Sequence, residues 1–182
     1  MRVIAGTYKG RKLKSPPSMQ VRPTSDRLRE TLFNVIAPRI SDARFLDLCA
    51  GSGAVGIEAL SRGASYATFV DRSRKMCGLI EANLDLCKVP EDQTEVLNMT
   101  AEDFLKSNDG GESDRWDIIF FDPPYVHDYV DVLKLIADRE LLQKDGLLIA
   151  EHHHKKDLPA KIGGLTRTRV LKQGDSALSF YE

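Results

Sequence analysis

An apolar run that ends at two consecutive prolines most strongly constrains how this chain can fold. The segment Trp116–Phe121 holds five aromatic or β-branched residues around one aspartate. This pattern is typical of a strand buried on both faces in the middle of a parallel sheet. Pro123 and Pro124 end the strand, because proline has no N–H to donate to a sheet ladder. Asp122 is therefore expected at the carboxyl end of a central strand, the edge where open α/β sheets bind ligands.

Strands and helices alternate along the rest of the chain. Strands are predicted at 45–49, 66–71, 94–97, 116–121 and 146–151, with helices between them and a closing hairpin from 166–171 and 177–181. The pattern predicts an α/β fold: a seven-stranded, mostly parallel sheet with helices on both faces and an antiparallel last strand. A small β-hairpin is predicted around Gly6 and Gly10. We expect one domain over 1–182, in which 1–40 form a basic hairpin and helix extension and 41–182 form the Rossmann-like core.

Charge is distributed unevenly along the chain. Residues 1–40 contain nine Lys or Arg and two acids, whereas residues 41–182 contain 17 Lys or Arg and 25 acids. A basic arm on an acidic body indicates contact with a polyanion, and the alternative is a solvated surface segment. No apolar run approaches the roughly 20 residues of a membrane span, and we expect no signal peptide. The three cysteines lack metal-ligand spacing, so we expect reduced thiols in a cytoplasmic protein.

Three glycines follow the first predicted strand of the core. Gly51, Gly53 and Gly56 fit G-x-G-x-x-G between a strand and a helix, where glycine lets the backbone approach a ligand and the helix N-terminus offers N–H groups. Asp71 ends the next strand 20 positions after Gly51, the expected place for a carboxylate that accepts both ribose hydroxyls. The spacing predicts an adenosine-containing cofactor, and it serves dinucleotides and S-adenosylmethionine alike.

The segment Asp122–Tyr125 resembles the (Asn/Asp/Ser)-Pro-Pro-(Tyr/Phe) motif of S-adenosylmethionine-dependent methyltransferases that modify exocyclic amino groups of bases. Such an amine is a poor nucleophile, because its lone pair is delocalised into the ring. Acceptors at the Asp122 side chain and the Pro123 carbonyl would favour a pyramidal nitrogen with a localised lone pair. Tyr125 would stack on the flipped base, an interaction worth roughly 1–3 kcal/mol. The alternative is a tight turn after a core strand, in which Asp122 caps the next segment of the chain.

Further motifs resemble the RsmD family, bacterial-type enzymes that methylate N2 of a guanine in small-subunit (16S) ribosomal RNA. The matching pieces are Arg2–Gly6 with Gly10–Leu13; Arg22-Pro23-Thr24 with Asp26-Arg27 and Arg29–Asn34; Asp47-x-x-Ala50-Gly51-Ser52-Gly53; and Asp122–Tyr125. The Arg-Pro-Thr…Arg-Glu-x-Leu-Phe-Asn run is the most specific, because general methyltransferases lack it. The resemblance implies a class I methyltransferase fold and S-adenosyl-L-methionine as cofactor. The chain departs from the family at Tyr125, where some members have Phe, and at His152–His154.

Motifs and resemblance together give three sets of expected site residues. The catalytic set is Asp122, Pro123, Pro124 and Tyr125. The cofactor set is Asp47, Ala50, Gly51, Ser52, Gly53, Asp71, Arg72, Thr100, Ala101 and Asp122. The set expected to contact RNA is Arg2, Lys9, Arg11, Lys12, Arg22, Thr24 and Arg27.

No metal site is expected from His152–His154, because neighbours in an extended segment alternate faces and no cysteine or carboxylate set completes a site. These residues are expected to form a polar rim near the ligand edge. The partner is expected to be small-subunit ribosomal RNA, free or within an assembled or assembling subunit, and the protein is expected to be a monomer.

Three other functions remain open at this point. One is adenine-N6 methylation of DNA or RNA, because Asp-Pro-Pro-Tyr serves both bases. Another is a nicotinamide-dependent oxidoreductase built on the same glycine fingerprint. The third is a catalytically silent RNA-binding module.

Overall fold

The structure, a computed structural model, describes residues 1–16, 25–108, 111, 114–124 and 129–182. Its α-helices are α1 (Asp26–Ile36), α2 (Ala54–Ser61), α3 (Arg74–Cys87), α4 (Ala101–Ser107) and α5 (Tyr129–Asp138). Its strands are β1 (Arg44–Leu48), β2 (Tyr66–Asp71), β3 (Thr94–Asn98), β4 (Trp116–Phe121), β5 (Leu142–His153), β6 (Lys161–Ile162), β7 (Leu165–Gln173) and β8 (Ser176–Tyr181). No helix among the described residues is both long and apolar enough to cross a membrane.

The strands form one sheet in the order β3-β2-β1-β4-β5-β8-β7-β6. Strands β1 to β5 pair in parallel, and β8 runs antiparallel to both β5 and β7. The predicted α/β class, the closing hairpin and the antiparallel last strand are confirmed. The predicted count of seven strands was wrong, because β6 pairs with β7 as an eighth. A strand of two residues is too short to produce an alternating pattern that can be detected in a sequence.

Helices cover both faces of the sheet. One buried cluster joins apolar residues of α1, α2 and α3 to the first face of the sheet, and a second joins α4 and α5 to the other. Strand β4 contributes to both: Ile118 and Phe120 belong to the first cluster, and Ile119 and Phe121 to the second. All four side chains are at most 1% exposed, as expected for a strand buried on both faces.

The arm, residues 1–16, forms the predicted hairpin. Arg2 and Lys12 pair as an antiparallel bridge. The backbone N–H of Val3 donates to the carbonyl of Arg11 at 3.0 Å, and the N–H of Leu13 donates to the carbonyl of Met1 at 3.1 Å. Val3 and Leu13 are buried in the first core cluster. Because the hairpin buries its own apolar residues there, it is part of the domain's core as well as an extension of it.

The arm is fastened to helix α2 by a buried carboxylate. The side chain of Glu58, which is 0% exposed, accepts the backbone N–H groups of Ile4 at 2.8 Å and Ala5 at 3.0 Å. Arg62 donates to the same carboxylate at 2.7 Å. At Gly6, where φ is +80°, an added Cβ would lie 1.7 Å from the carbonyl oxygen of Ser61, so only glycine allows this approach.

Candidate active site

The loop between β1 and α2 brings its backbone to the carboxyl edge of the sheet. Cys49, Gly51 and Gly53 have φ values of 64°, 57° and 74°, in the left-handed region that favours glycine. A Cβ added at Gly51 would meet nothing within 4 Å, so a ligand has room to approach the backbone there. Helix α2 begins directly after Gly53 without a side-chain cap. Its first turn therefore directs backbone N–H groups and the positive end of the helix dipole toward this edge.

Asp47 lies in β1 immediately beneath this loop. It is 2% exposed, and its carboxylate accepts the backbone N–H of Gly56 in α2 at 2.9 Å. The pKa of Asp47 is raised to about 7, mainly by burial. The hydrogen bond from Gly56 lowers this pKa, and the nearby charge of Asp71 raises it. Asp47 therefore joins the strand to the helix and titrates near neutrality, where an adjacent positive charge would favour its ionised form.

Asp71 ends β2 and holds the same loop from the other side. One carboxylate oxygen accepts the N–H of Gly51 at 2.9 Å, and the other accepts the N–H of Ser73 at 2.8 Å. Because each carboxylate oxygen has two lone pairs, both oxygens keep an acceptor position for a ligand hydroxyl. The pair of residues that the sequence placed 20 positions apart is thus in direct contact.

Asp122 and Pro123 leave β4 at the same edge. The backbone N–H of Asp122 donates to the carbonyl of Leu48 at the end of β1, at 3.3 Å. The side chain of Asp122 is half-buried, Pro123 is buried and Pro124 is exposed. The hydroxyl of Tyr129, at the start of α5, donates to the Pro123 carbonyl at 3.4 Å. This contact orients a carbonyl that retains a second lone pair.

Carboxylates from the expected cofactor and catalytic sets act on the same thiol, that of Cys49. Burial is the main cause that raises the pKa of the Cys49 thiol, and the charges of Asp71, Asp122 and Glu102 follow as the next causes. The charge of Asp47 raises this pKa by the smallest amount. The thiol is consequently protonated and a poor nucleophile at neutral pH. The same carboxylates give this edge a negative potential, which favours a positively charged ligand.

The other residues of the expected cofactor set differ in their exposure and in the contacts that they make. Thr100 caps α4 by accepting the N–H of Asp103 at 3.1 Å, and Ala101 is buried beneath it. Arg72 is exposed after β2. The hydroxyl of Ser52 is within 3.9 Å of the Met1 sulfur, and the side chain is 7% exposed. Ser52 therefore contacts the arm, and its backbone is what the loop offers to a ligand.

Most residues expected to contact RNA have exposed side chains. Arg2, Lys9 and Lys12 are exposed on the arm, and Arg27 is exposed on α1. Arg11 is also exposed, but its guanidinium donates to the carbonyl of Leu86 in α3 at 2.9 Å. Arg11 thus helps to fasten the arm to the core. The expectations for Tyr125, Arg22 and Thr24 fall outside the described residues.

The alternation expected for the histidines was wrong at His153 and His154. Their rings stack with centroids 4.6 Å apart and planes 27° apart. Strand β5 ends at His153, so the two-residue alternation no longer applies between these neighbours. His152 behaves differently: it is buried, one ring nitrogen lies 2.9 Å from the Ser179 hydroxyl, and burial lowers its pKa.

Several residues of the site region were not foreseen from the sequence. Arg29 is fully buried on α1 and lies 3.7 Å from the Glu58 carboxylate, although charged residues of an amphipathic helix are normally assigned to its outer face. Asn83 on α3 joins the arm to the glycine loop by donating to the carbonyls of Lys14 at 3.1 Å and Ser52 at 2.9 Å. No local pattern marks such contacts, because the partners are distant in sequence.

This fold and edge define an α/β protein of the S-adenosylmethionine-dependent methyltransferase class. The family model described as "Conserved hypothetical protein 95" matches residues 1–182, and the chain belongs to that family, the RsmD family that the motifs indicated. YlbH of Bacillus subtilis is 38% identical over 100% of this chain and 98% of that protein. Ribosomal RNA small subunit methyltransferase D of Escherichia coli K12 is 36% identical over 100% and 89%.

Solved structures agree with this class. The structure of yhhF from Escherichia coli superposes with a TM-score of 0.86 at 36% identity, covering 100% of this chain and 96% of that one. The crystal structure of SMU.776 complexed with SAH superposes with a TM-score of 0.71 at 16% identity, covering 90% of this chain and 50% of that one. At that level of identity the second likeness shows the fold alone.

Proposed function

We propose that this protein transfers a methyl group from S-adenosyl-L-methionine to the exocyclic 2-amino group of a guanine in small-subunit (16S) ribosomal RNA. The observation that carries the proposal is the meeting of two motifs at one sheet edge. The N–H of Asp122, which opens the catalytic motif, donates to the carbonyl of Leu48, where β1 enters the glycine loop. Relatives named ribosomal RNA small subunit methyltransferase D, at 36% identity, support ribosomal RNA as the substrate.

The residues at the edge fit this cofactor in shape and charge. The open space over Gly51 admits a ligand against the backbone, and the two oxygens of Asp71 are placed to accept ribose hydroxyls beside it. Bound there, S-adenosylmethionine supplies a methyl group on a positively charged sulfonium. The carboxylates around Cys49 favour such a cation. A nicotinamide-dependent oxidoreductase would leave Asp122 and the two prolines without a role.

The residues after β4 position the nucleophile. Asp122 and the Pro123 carbonyl accept the two hydrogens of the guanine amine, which localises its lone pair. Tyr129 holds the Pro123 carbonyl in place through its hydroxyl. A base must leave its stack to reach this edge, which costs a few kcal/mol and least for an unpaired base. Because the methyl group arrives already activated, most of the acceleration comes from positioning.

The arm supplies the contact with the RNA backbone. Arg2, Lys9 and Lys12 are exposed on a hairpin that is fastened to α2, the helix that begins at the cofactor loop. Phosphate contacts of this kind fix orientation and weaken as salt concentration rises. Tyr125, Arg22 and Thr24 complete the proposed substrate and cofactor contacts. We place the protein in the cytoplasm as a monomer, with Cys49, Cys77 and Cys87 as free thiols.

The test offers the protein S-adenosylmethionine labelled on its methyl group. The substrates are small-subunit RNA lacking the modification, free and within assembled subunits, and duplex DNA. After digestion, the labelled nucleoside is identified. Label in N2-methylguanosine from RNA is the expected result, and it also distinguishes free RNA from the subunit as substrate.

Other outcomes overturn defined parts of the proposal. Label in N6-methyladenine keeps the cofactor and the edge but replaces the substrate base. Label in DNA would mean that the substrate polymer is DNA and not RNA. A protein that binds the cofactor and labels none of these substrates contradicts the proposed reaction.

A further inference from the structure

We propose that His153, His154 and Asp175 form a binding site for a divalent transition-metal ion of the zinc class. Each of the three side chains offers one ligand atom, and these atoms all lie within 4.8 Å of one another. The proposal is independent of methyl transfer, because none of the three residues belongs to the cofactor or catalytic sets.

The backbone holds the two halves of this cluster together. His153 ends β5, His154 follows it, and Asp175 lies in the turn between β7 and β8. The N–H of His154 donates to the carbonyl of Asp175 at 2.8 Å, and His153 pairs in register with Ser176. The ligand-bearing segments are thus fixed by the sheet, and only side-chain rotations remain to be made.

The three ligand atoms must move closer together to bind one ion, and the stacked rings of His153 and His154 must turn toward it. Ligand atoms around a tetrahedral zinc ion lie about 3.4 Å apart, given metal–nitrogen and metal–oxygen distances near 2.1 Å. Moving the ligand atoms from within 4.8 Å to that separation needs rotations of side chains that are half-buried at His153 and His154 and exposed at Asp175.

One ring nitrogen in the cluster lacks a hydrogen-bond partner. The Nδ1 atom of His154 is buried and makes no hydrogen bond in the part of the chain that the structure describes. A buried polar atom without a partner is costly and calls for an explanation, such as an ion or water. A metal ion would give the His154 ring this missing partner. It could bind Nδ1 directly, or bind the other ring nitrogen after the ring turns and moves Nδ1 out of its buried position.

The surrounding charges permit a cation here. Lys156, two residues after His154, directs its ammonium over the ring of Tyr129, at 3.8 Å from the centroid. Glu151 is buried two residues before His153, and its carboxylate accepts the hydroxyl of Ser176, the residue after Asp175. Asp175 is thus the carboxylate of the cluster, and Glu151 contributes a second negative charge two residues along the strand.

The donor set selects the class of metal. Two imidazole nitrogens and one carboxylate oxygen suit Zn²⁺, Co²⁺, Ni²⁺ and Cu²⁺, whereas Mg²⁺ and Ca²⁺ require mainly oxygen ligands. Three protein ligands leave a coordination position for water or another oxygen ligand. The ion would connect the end of β5 to the β7–β8 turn, beside the edge where β4 delivers Asp122 and Pro123.

The test titrates Co²⁺ into the untagged full chain, because a histidine tag would bind the probe itself. We expect one Co²⁺ per chain and an absorption spectrum of nitrogen and oxygen coordination. Thiolate-to-cobalt absorption would instead assign binding to a cysteine and overturn the proposal. Saturation with Zn²⁺ should also raise Tm by roughly 5 °C, because a ligand bound to the folded state alone stabilises it.

Variants separate this site from adventitious binding. His153→Asn, His154→Asn and Asp175→Asn should each weaken Co²⁺ binding at least about tenfold. The control Asp85→Asn removes an exposed carboxylate from α3 and should bind as the unmodified chain does. Circular dichroism of every variant establishes that it is folded. Equal affinities across the set, or no Co²⁺ bound by the unmodified chain at millimolar concentration, would overturn the assignment.

Discussion

The carboxylate of Asp71 accepts the backbone N–H of Gly51 at 2.9 Å, which joins the end of β2 to the glycine loop that follows β1. A residue expected to bind ribose therefore also shapes the loop expected to receive the rest of the cofactor. The other oxygen of the carboxylate accepts the N–H of Ser73. Both oxygens therefore hold the backbone, and a substitution made to test ribose binding also changes the loop.

We expect Asp71→Ala to weaken S-adenosylmethionine binding by about 100-fold, since it removes the charge-assisted hydrogen bond to the Gly51 N–H and the proposed ones to the ribose hydroxyls. Asp71→Asn should lose less cofactor affinity, because its amide oxygen can still accept the N–H of either Gly51 or Ser73. Isothermal titration measures both affinities. If Asp71→Ala bound the cofactor as tightly as the unmodified protein, the assignment of this edge to the cofactor would be wrong.

Asp122→Ala should abolish methyl transfer and leave cofactor affinity within a few-fold, because in the proposed reaction its side chain accepts a hydrogen bond from the substrate amine. Asp122→Asn retains one acceptor oxygen and should keep more activity than the alanine variant. Turnover with methyl-labelled cofactor and a parallel binding titration separate the two effects. Near-normal turnover by Asp122→Ala would contradict its catalytic assignment.

Asp47 should make stability depend on pH in a defined direction. Its pKa is raised from 3.8 when unfolded to about 7 when folded, mainly by burial. Between these values the folded state holds a proton that the unfolded state has released, so the free energy of unfolding falls as pH rises. The full difference is roughly 4 kcal/mol and is reached above pH 7.

Asp47→Asn keeps an acceptor for the Gly56 N–H and removes this titration. The free energy of unfolding of both proteins should be measured with urea at about pH 4.5, 6 and 8. As pH rises, the variant should become more stable relative to the unmodified protein. Other titrating groups are common to both proteins and cancel in the comparison. Parallel pH profiles would mean that Asp47 does not titrate in this range.

Glu58 should be the main attachment of the arm. Its carboxylate is fully buried and accepts from Ile4, Ala5 and Arg62, while Arg29 lies 3.7 Å away. Glu58→Gln removes one of the two carboxylates that face the buried Arg29 guanidinium, while Asp26 remains 3.1 Å from it. We therefore expect a loss of about 1–3 kcal/mol, below the cost of leaving a buried charge with no partner.

Two measurements test the attachment. The free energy of unfolding should fall in Glu58→Gln, and trypsin should cleave the arm near Lys9 and Arg11 faster than in the unmodified protein. Glu30→Gln changes an exposed glutamate on α1 and is the matched control. The attachment would be disproved if the two variants were equally stable and cleaved at equal rates.

The elements that sequence predicted well are those with local signals. Strand β2 has the predicted bounds because buried apolar residues fill it and Asp71 ends it. Helix α1 begins after Ser25, a residue type that favours helix N-caps, and the Ser25 hydroxyl accepts the Leu28 N–H at 3.1 Å. Asp71 and Gly51 were paired by a known spacing, and their direct contact agrees with it.

The features that sequence missed depend on contacts between distant segments. Charged residues of an amphipathic helix are normally assigned to its outer face, yet Arg29 is buried beside two carboxylates, Asp26 on the same helix and Glu58, 29 residues later. The left-handed backbone of Cys49 is forced by the turn from β1 into α2, and a cysteine gives no sign of it. His153 and Asp175 meet through the β5–β8 pairing, which no spacing rule encodes.

Gly56, the third glycine of the G-x-G-x-x-G pattern, lies in α2 and should be required for packing. An added Cβ would lie 2.3 Å from one ring carbon of Phe69 and 2.8 Å from another, and Phe69 is fully buried in β2. Gly56→Ala therefore forces the helix away from the strand. Overpacking of this kind typically costs about 1–3 kcal/mol, which exceeds the roughly 0.5–1 kcal/mol that alanine gains over glycine in a helix.

Gly78 provides the opposite case within the same fold. It lies in α3, where an added Cβ would meet nothing within 4 Å, so Gly78→Ala should stabilise the protein by about 0.5–1 kcal/mol. The urea midpoints of the two variants should therefore shift in opposite directions from that of the unmodified protein. A midpoint that rises for Gly56→Ala as it does for Gly78→Ala would mean that α2 can move off Phe69 at no cost. Packing against β2 would then not require a glycine at position 56, and the approach of the cofactor would be the remaining reason for it.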